Sequence, residues 1–333
     1  PPRPATGDPR PKKMRAVTLT KFGDESVMKI ADVPPPPLGE HDIRIAVAAT
    51  SVNRADVLQR EGHYPPPPGA SDILGLECAG SVLEVGKEVF GWQKGERAMA
   101  LLPGGGYAEQ VVVDAGSAMH VPDTLTDEEA GAIPEVFLTA FLNVFMLGVA
   151  RRGETLLVHG GGSGVGTAAT TLGKLAGLRV VVTARSAEKC ALCLQHGADE
   201  AIDYKHDDFS QRVKDVDVVI DHIGARYLAR DLQVMRTGGR VVVIGSMGGE
   251  NKAEIDVTAM LAKRQQIIGS TLRARSKEEK ARLVEAFMAR YGDDIRNGRI
   301  RPVIDSVIPI QRVAEAHRRM NEDHFGKIVL TFS

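Results

Sequence analysis

The chain has 333 residues, 43% hydrophobic and 26% charged, with a formal net charge of −1 and three cysteines. That length exceeds one ordinary core and points to two domains of a globular protein. The near-neutral balance removes the electrostatic basis for binding nucleic acid or an anionic membrane surface, and no apolar run approaches the roughly 20 residues of a membrane span. Cys78, Cys190 and Cys193 cannot build a disulfide framework and fit a reducing, cytoplasmic compartment.

Pro1 to Lys13 is Pro-rich and basic without an apolar segment, which reads as a flexible extension rather than a secretory signal, and the fold is expected to begin near Met14. Met14 to Thr20, Met28 to Val33 and Asp42 to Ala49 alternate as strands, with Pro34 to Pro37 barring regular structure before the third. Asn53 to Arg60 reads as a helix, on which Asn53 stands where a cap belongs and Asp56 and Arg60, i and i+4, read as a surface pair. Tyr64 opens a rigid loop with Pro65 to Pro68. Leu74 to Val85, Gly95 to Ala100 and Ala108 to Val113 add strands. A β-rich opening without βαβ rhythm predicts a partly closed, barrel-like domain.

From Thr126 to Leu147 the period becomes helical, with Thr126 as N-cap and Asp127, Glu128 and Glu129 in the first turn. Glu135 falls near the domain junction. Thr155 to His159 is then an apolar strand, followed at once by Gly160-Gly161-Gly162-Ser163-Gly164-Val165-Gly166 and a helix over Thr167 to Ala176. Close-spaced glycines let the backbone approach a pyrophosphate, whose charge meets free N–H groups at the helix start. No G-x-G-x-x-G register fits, because Ser163 stands where the middle glycine would. A second strand, Leu178 to Thr183, follows at βαβ distance and favours a phosphate cradle over a glycine-rich hairpin.

The end of that second strand selects the cofactor. An NAD site carries an acid there for the ribose 2′-OH, whereas an NADP site carries a cation for the 2′-phosphate. Here stand Arg185, Ser186 and, one turn on, Lys189, with no acid before Glu188. Their donors predict NADPH over NADH, although Lys189 alone reads equally well as a solvated charge at a helix start. Cys190 and Cys193 lie inside a helical stretch with no second pair to complete a zinc site.

The β/α alternation continues through strands at Ala201-Ile202, Val216 to Ile220, Arg240 to Gly245 and Gln266 to Leu272, with helices over Arg226 to Met235 and Val257 to Lys263. The fold class is therefore α/β, a doubly wound parallel sheet of six strands, with ligand expected at the strands' C-terminal ends near Gly224 and Ser246-Met247-Gly248. The tail leaves that rhythm: Lys277 to Tyr291 and Ile310 to Asn321 read as helices, Val303 to Ile308 and Lys327 to Phe332 as strands. It is expected to return to the first domain, so that 14–135 and 275–333 form one domain and 136–274 is inserted as the nucleotide domain.

Taken in order, Asn53-x-x-Asp56-x-x-x-Arg60-x-Gly62-x-Tyr64, Gly75-Leu76-Glu77, Leu138-Thr139-Ala140, the glycine cluster, Tyr204, Thr271-Leu272-Arg273 and Gly326-Lys327-Ile328-Val329-Leu330 resemble the zinc-independent quinone oxidoreductases of the medium-chain dehydrogenase/reductase superfamily. The likeness runs from about Met14 to the C-terminus. Tyr64 to Ser71 and Leu101 to Gly106 look most like the mammalian branch induced by a tumour suppressor. The resemblance implies a Rossmann-like sheet inserted into a GroES-like catalytic domain. It also implies a homodimer formed through the strand around Gln266 to Leu272, with a tetramer as the alternative. Zinc alcohol dehydrogenases of the superfamily carry Cys at the place of Asn53 and His at that of Leu76, so no metal is expected.

Carried over by position, the resemblance puts Asn53 beside the nicotinamide ribose and Thr139 near its ring, with Ser163, Gly164, Val165 and Gly166 along the pyrophosphate. Arg185, Ser186, Lys189 and Tyr204 would hold the adenosine phosphate. Ser246, Met247, Gly248, Leu272 and Arg273 would face the nicotinamide, and Phe325, Gly326 and Lys327 the ribose side. Tyr64 would flank the substrate, with Asn53 and Tyr64 the catalytic pair. The expected activity is NADPH-dependent reduction of a small-molecule quinone. Reduction of a conjugated enone is the enzymatic alternative, and an NADPH-binding sensor or RNA-associated protein with little turnover is the rival of another class; the charge balance speaks against RNA.

Overall fold

The computed structural model describes residues 13–332; the basic extension expected over the first residues lies outside them except for Lys13. Strands β1 (Met14–Leu19) and β2 (Met28–Val33) pair antiparallel as a small separate sheet. Next come β3 (Asp42–Val52), β4 (Glu77–Val85), β5 (Arg97–Leu101), β6 (Gln110–Asp114) and β7 (Ala118–His120). The long β3 is the axis of this region. Its first half pairs with β6, its other edge with β4, and its last residues, Ala49 to Val52, with a strand from the far end of the chain. Alternation of buried Ile43, Ile45 and Val47 along β3 explains why it forms and fixes its register.

The central part holds β8 (Thr155–His159), β9 (Arg179–Ala184), β10 (Glu200–Asp203), β11 (Val216–Asp221), β12 (Met235–Val243) and β13 (Gln266–Gly269). All pair parallel in the order β10-β9-β8-β11-β12-β13. Counted from β8 this is 3-2-1-4-5-6, the dinucleotide-binding order, with its switch point between β8 and β11. Val180, Val181 and Val182 of β9 and Val218, Val219 and Ile220 of β11 are buried without alternation, as expected of strands covered on both faces. The tail supplies β14 (Ile304–Pro309) and β15 (Lys327–Thr331), and β15 pairs with both β14 and β3. The chain thus returns to its starting sheet, giving a GroES-like domain beside a six-stranded Rossmann sheet.

Several elements differ from the sequence expectation: the strand expected over Gln266 to Leu272 ends at Gly269, and the helix expected over Ile310 to Asn321 is a 3-10 turn, Ile310–Arg312, followed by the helix Val313–Arg319. The helix expected over Thr126 to Leu147 is three pieces: Asp127–Ala130, Pro134–Phe141 and a π-helical turn, Leu142–Leu147. Pro134 has no N–H with which to continue a helix and therefore starts a new one. Within the last piece the Asn143 side chain donates to the Thr139 carbonyl at 2.7 Å and Gly148 N–H reaches Asn143, five residues back. The helix after β8 begins at Gly164 rather than Thr167.

Candidate active site and cofactor cleft

At the switch point β8 runs into the glycine turn and the helix Gly164–Leu175. Gly160 has φ +67°, a left-handed conformation that favours glycine. A Cβ on Gly166 would collide with the Gly160 carbonyl oxygen, so the helix start lies directly against the turn. Ser163, the residue that breaks the glycine motif, is the helix cap: its Oγ accepts the Gly166 N–H at 3.0 Å. The segment before β15 docks on this turn, with Gly326 N–H donating to the Gly162 carbonyl at 2.9 Å and the Phe325 ring lying against Gly162. Ser163, Gly164, Val165, Gly166, Phe325 and Gly326 therefore come together at the N-terminus of this helix.

At the end of β9, Ser186 caps the helix Ala187–Gln195 and accepts the Lys189 N–H at 3.3 Å. The Lys189 ammonium lies 2.6 Å from the Asp323 carboxylate and Arg185 Nε lies 3.7 Å from it. Tyr204 is half-exposed beside Arg185, whose charge works against the rise that burial causes in the phenol pKa. The four residues expected at the adenosine phosphate end share one place. Asp323, which sequence reasoning missed, sits among them and is held below the usual carboxylate range by the Lys189 hydrogen bond.

Where β3 ends and β4 and β15 begin, against the helix Pro134–Phe141, lies a buried ionic knot. Lys327 Nζ lies 2.6 Å from Asn53 Oδ1, 2.9 Å from Glu77 Oε1 and 3.4 Å from the Val52 carbonyl. Glu77 Oε1 also accepts Asn53 Nδ2 at 2.9 Å and the Ser51 hydroxyl, while its Oε2 accepts the Glu135 backbone N–H at 2.9 Å. Lys327 and Glu77 are 3% and 0% exposed, so this is a fixed, paired charge. Lys327, expected to face a ribose, turns its ammonium inward. Asn53 stands at the cap position of the helix Arg54–Arg60, but its side-chain amide is committed to Glu77 and Lys327.

Asp56 and Arg60 are not the surface pair the i,i+4 spacing suggested, because the loop before β4 and the helix Val313–Arg319 cover that face. Asp56 accepts the Asn53 and Gly75 N–H groups at 2.8 Å each, and burial, opposed by those bonds, pushes its pKa up to about 6. Arg60 donates to His317 Nδ1 at 3.2 Å and to the Gly23 carbonyl at 3.1 Å.

The open face of the cleft belongs to the helix Pro134–Phe141. Pro134, Val136, Phe137, Leu138, Ala140 and Phe141 are buried, and only Glu135 and Thr139, one turn apart, retain exposure. Burial, then the Glu77 charge, pushes the Glu135 carboxyl up to about 8. The Arg273 guanidinium lies 5.4 Å from the Tyr64 ring centroid and donates to Gln59 Oε1 at 2.6 Å and the Pro103 carbonyl at 2.8 Å, which ties the segment after β13 to the GroES-like domain. Leu272 is buried next to it. Ser246, Met247 and Gly248 form a turn after β12: Ser246 Oγ donates to the Glu250 carbonyl at 3.0 Å, Gly248 N–H to Ile223, and Met247 is half-exposed. Sequence reading carried Glu77 only as part of the Gly75-Leu76-Glu77 motif and Glu135 only by its place near the domain junction, with no role assigned to either.

Among the described residues one group of His and Asp side chains is close enough to hold a metal: His159, Asp221 and Asp231. It lies buried at the C-terminal ends of β8 and β11, where His159 Nε2 meets Asp231 at 2.9 Å and Asp221 accepts the Ile223 and Gly224 N–H groups. At Asn53 and Leu76, where the resemblance puts Cys and His in a zinc enzyme, this chain carries an amide and an apolar side chain, neither of which is a usual zinc ligand.

The match to known proteins covers the same two units. Residues 39–123 match the family model of an alcohol dehydrogenase GroES-like domain and residues 164–289 that of a zinc-binding dehydrogenase. A quinone oxidoreductase of Rattus norvegicus is 33% identical over 98% of this chain and 99% of its own. A solved NAD-dependent alcohol dehydrogenase is 30% identical (TM-score 0.83; 96% of this chain and 100% of that one). A mycobacterial protein solved with NADPH is 28% identical (TM-score 0.83; 96% and 100%). With its cradle, cleft and near full-length likeness, the chain belongs to the quinone oxidoreductase, zeta-crystallin-like family of the medium-chain dehydrogenase/reductase superfamily.

Proposed function

We propose that this nicotinamide-dependent oxidoreductase is an NADPH:quinone oxidoreductase that works without a metal. The observation that carries the reading is the Lys327 ammonium held between Asn53, Glu77 and the Val52 carbonyl. An amide at Asn53, held by this fixed cation, stands where the resemblance puts a metal-binding Cys, which favours an acceptor already electrophilic, such as a quinone. The likeness to curated quinone oxidoreductases supports the same acceptor. When bound, NADPH supplies the hydride.

The protein's own part is positioning. The glycine turn and the N-terminus of the helix Gly164–Leu175 receive the pyrophosphate, and Arg185, Ser186, Lys189 and Tyr204 the 2′-phosphate. Thr139 orients the nicotinamide end between the turn over Ser246 to Gly248 and the segment Leu272-Arg273, while Asn53, held by Glu77 and Lys327, fixes the ribose side through that knot. Tyr64, stacked under Arg273, flanks the quinone and helps exclude water. Domain limits at 14–135 with 275–333 and 136–274, a homodimer and a cytoplasmic setting belong to the same proposal. The homodimer is favoured by β13, an edge strand with Gln266, Ile267 and Gly269 exposed, so that its unpaired ladder is free to meet a second copy. Among the described residues no helix is long and apolar enough to cross a membrane.

The test is NADPH oxidation with 1,2- and 1,4-quinones beside a conjugated enone, with product identified. Quinol as the main product supports the reading. Enone reduction alone would make it an enoyl reductase, and tight NADPH binding without oxidation by any acceptor a binding protein.

A further inference from the structure

Glu77 and Asp56 cannot move protons to a ligand. Glu77 carries Ser51, Asn53 and Lys327 on one oxygen and the Glu135 N–H on the other, and both Asp56 oxygens hold backbone N–H groups. Glu135 differs. Its backbone is anchored to Glu77, yet among the described residues its carboxyl makes no hydrogen bond or ion pair. It shares the open helix face with Thr139, one turn away. The charges that act on it most come from four elements: Glu77 on β4, Lys327 on β15, Asp56 on the helix Arg54–Arg60 and Lys280 on the helix Lys277–Arg296. Glu135 in turn acts on Tyr64 and Arg273.

We propose that Glu135 is the general acid that delivers the proton to the quinone oxygen, an inference that rests on the quinone reading above. The quinone accepts two electrons and a hydrogen as hydride from the reduced nicotinamide, which leaves as NADP⁺. The O–H bond of the Glu135 carboxyl breaks as the quinol O–H bond forms. The carboxylate is reprotonated from water at the exposed edge that Glu135 retains. Burial and Glu77 hold the group largely protonated at neutral pH, with a pKa of about 8, close to the working range in which a general acid is most effective. Tyr64 is less suited, because burial and the Glu135 charge drive its hydroxyl further up.

The experiment compares wild type with Glu135→Gln and Glu135→Asp. Wild-type kcat with a 1,4-quinone is expected to fall above about pH 8, a fall absent from E135Q, whose kcat is down about 100-fold. E135D should retain the pH limb at reduced rate, with NADPH affinity within twofold of wild type in both variants. In cofactor-free protein, the infrared band of a protonated carboxyl should persist at pH 7, titrate away near pH 8 and be missing from E135Q. Equal rates and pH profiles in wild type and E135Q, or a Glu135 already ionised at pH 6, would overturn the proposal while leaving quinone reduction standing. No quinone turnover by wild type would remove the reading and this inference together.

Discussion

The Lys189 ammonium is 2.6 Å from the Asp323 carboxylate, which places an anion of the protein itself on a cation proposed to hold the 2′-phosphate. NADPH must compete with that carboxylate, whereas NADH, lacking the phosphate, need not. Asp323 is half-exposed, so the pair is worth well under about 1 kcal/mol. Asp323→Asn should therefore tighten NADPH binding by about two- to fivefold and leave NADH unchanged in fluorescence titrations. Equal effects on both cofactors would detach Asp323 from the phosphate site.

The Lys327 and Glu77 pair is a buried charged centre within the GroES-like sheet. Lys327→Met leaves the Glu77 carboxylate buried with only neutral donors, at a cost of about 3–5 kcal/mol, because an uncompensated interior charge is expensive. Urea unfolding should show that loss, and Lys327→Arg should not restore it fully, since a planar fork does not fit three converging acceptors.

Gly166→Ala tests the cradle. The added Cβ meets the Gly160 carbonyl oxygen and the Gly161 carbonyl carbon, both backbone atoms that cannot rotate away. The expected result is a stability loss of about 1–3 kcal/mol and at least a tenfold weaker NADPH complex. Unchanged binding would mean that the pyrophosphate does not lie on this turn.

His317 carries a pH signature. Fully buried, it accepts from Arg60 Nη1 on Nδ1 at 3.2 Å, so its Nε2–H points to the Tyr107 hydroxyl oxygen at 3.1 Å. Burial, then the Arg60 charge, lowers its pKa from 6.5 to about 3. Below pH 6.5 the unfolded chain binds a proton that the folded chain refuses, so stability is lost as pH falls towards 3, at up to about 1.4 kcal/mol per pH unit. The raised carboxyls of Asp56 and Glu135 act in the opposite sense. The diagnostic is therefore the difference between wild type and His317→Gln: between pH 7 and pH 5 the wild type should lose more stability than the variant.

Much of this was legible in the sequence, for identifiable reasons. Strands buried on both faces, such as β9, appear as unbroken apolar runs, and the glycine turn between β8 and its helix announces the switch point. Ser163 is instructive: it spoils the glycine pattern and is the helix cap, a role that Ser commonly fills. What stayed hidden depends on distant chain segments. Asp56 and Arg60 read as a surface pair because nothing local says that Gly75 and His317 will cover them. Lys327 reads as a cation for a ligand because its partners, Asn53 and Glu77, lie more than 200 residues away in sequence. Asp323 sits in a polar loop with no motif around it.

NADPH-dependent quinone reduction is tested most directly by kcat/KM for NADPH and for NADH with one 1,4-quinone, in wild type and in Arg185→Ala. The wild type should prefer NADPH by at least tenfold, and the variant should lose most of that preference by weakening NADPH alone. Turnover with no preference between the cofactors, or a variant that weakens both equally, would contradict the assignment of this cleft to NADPH.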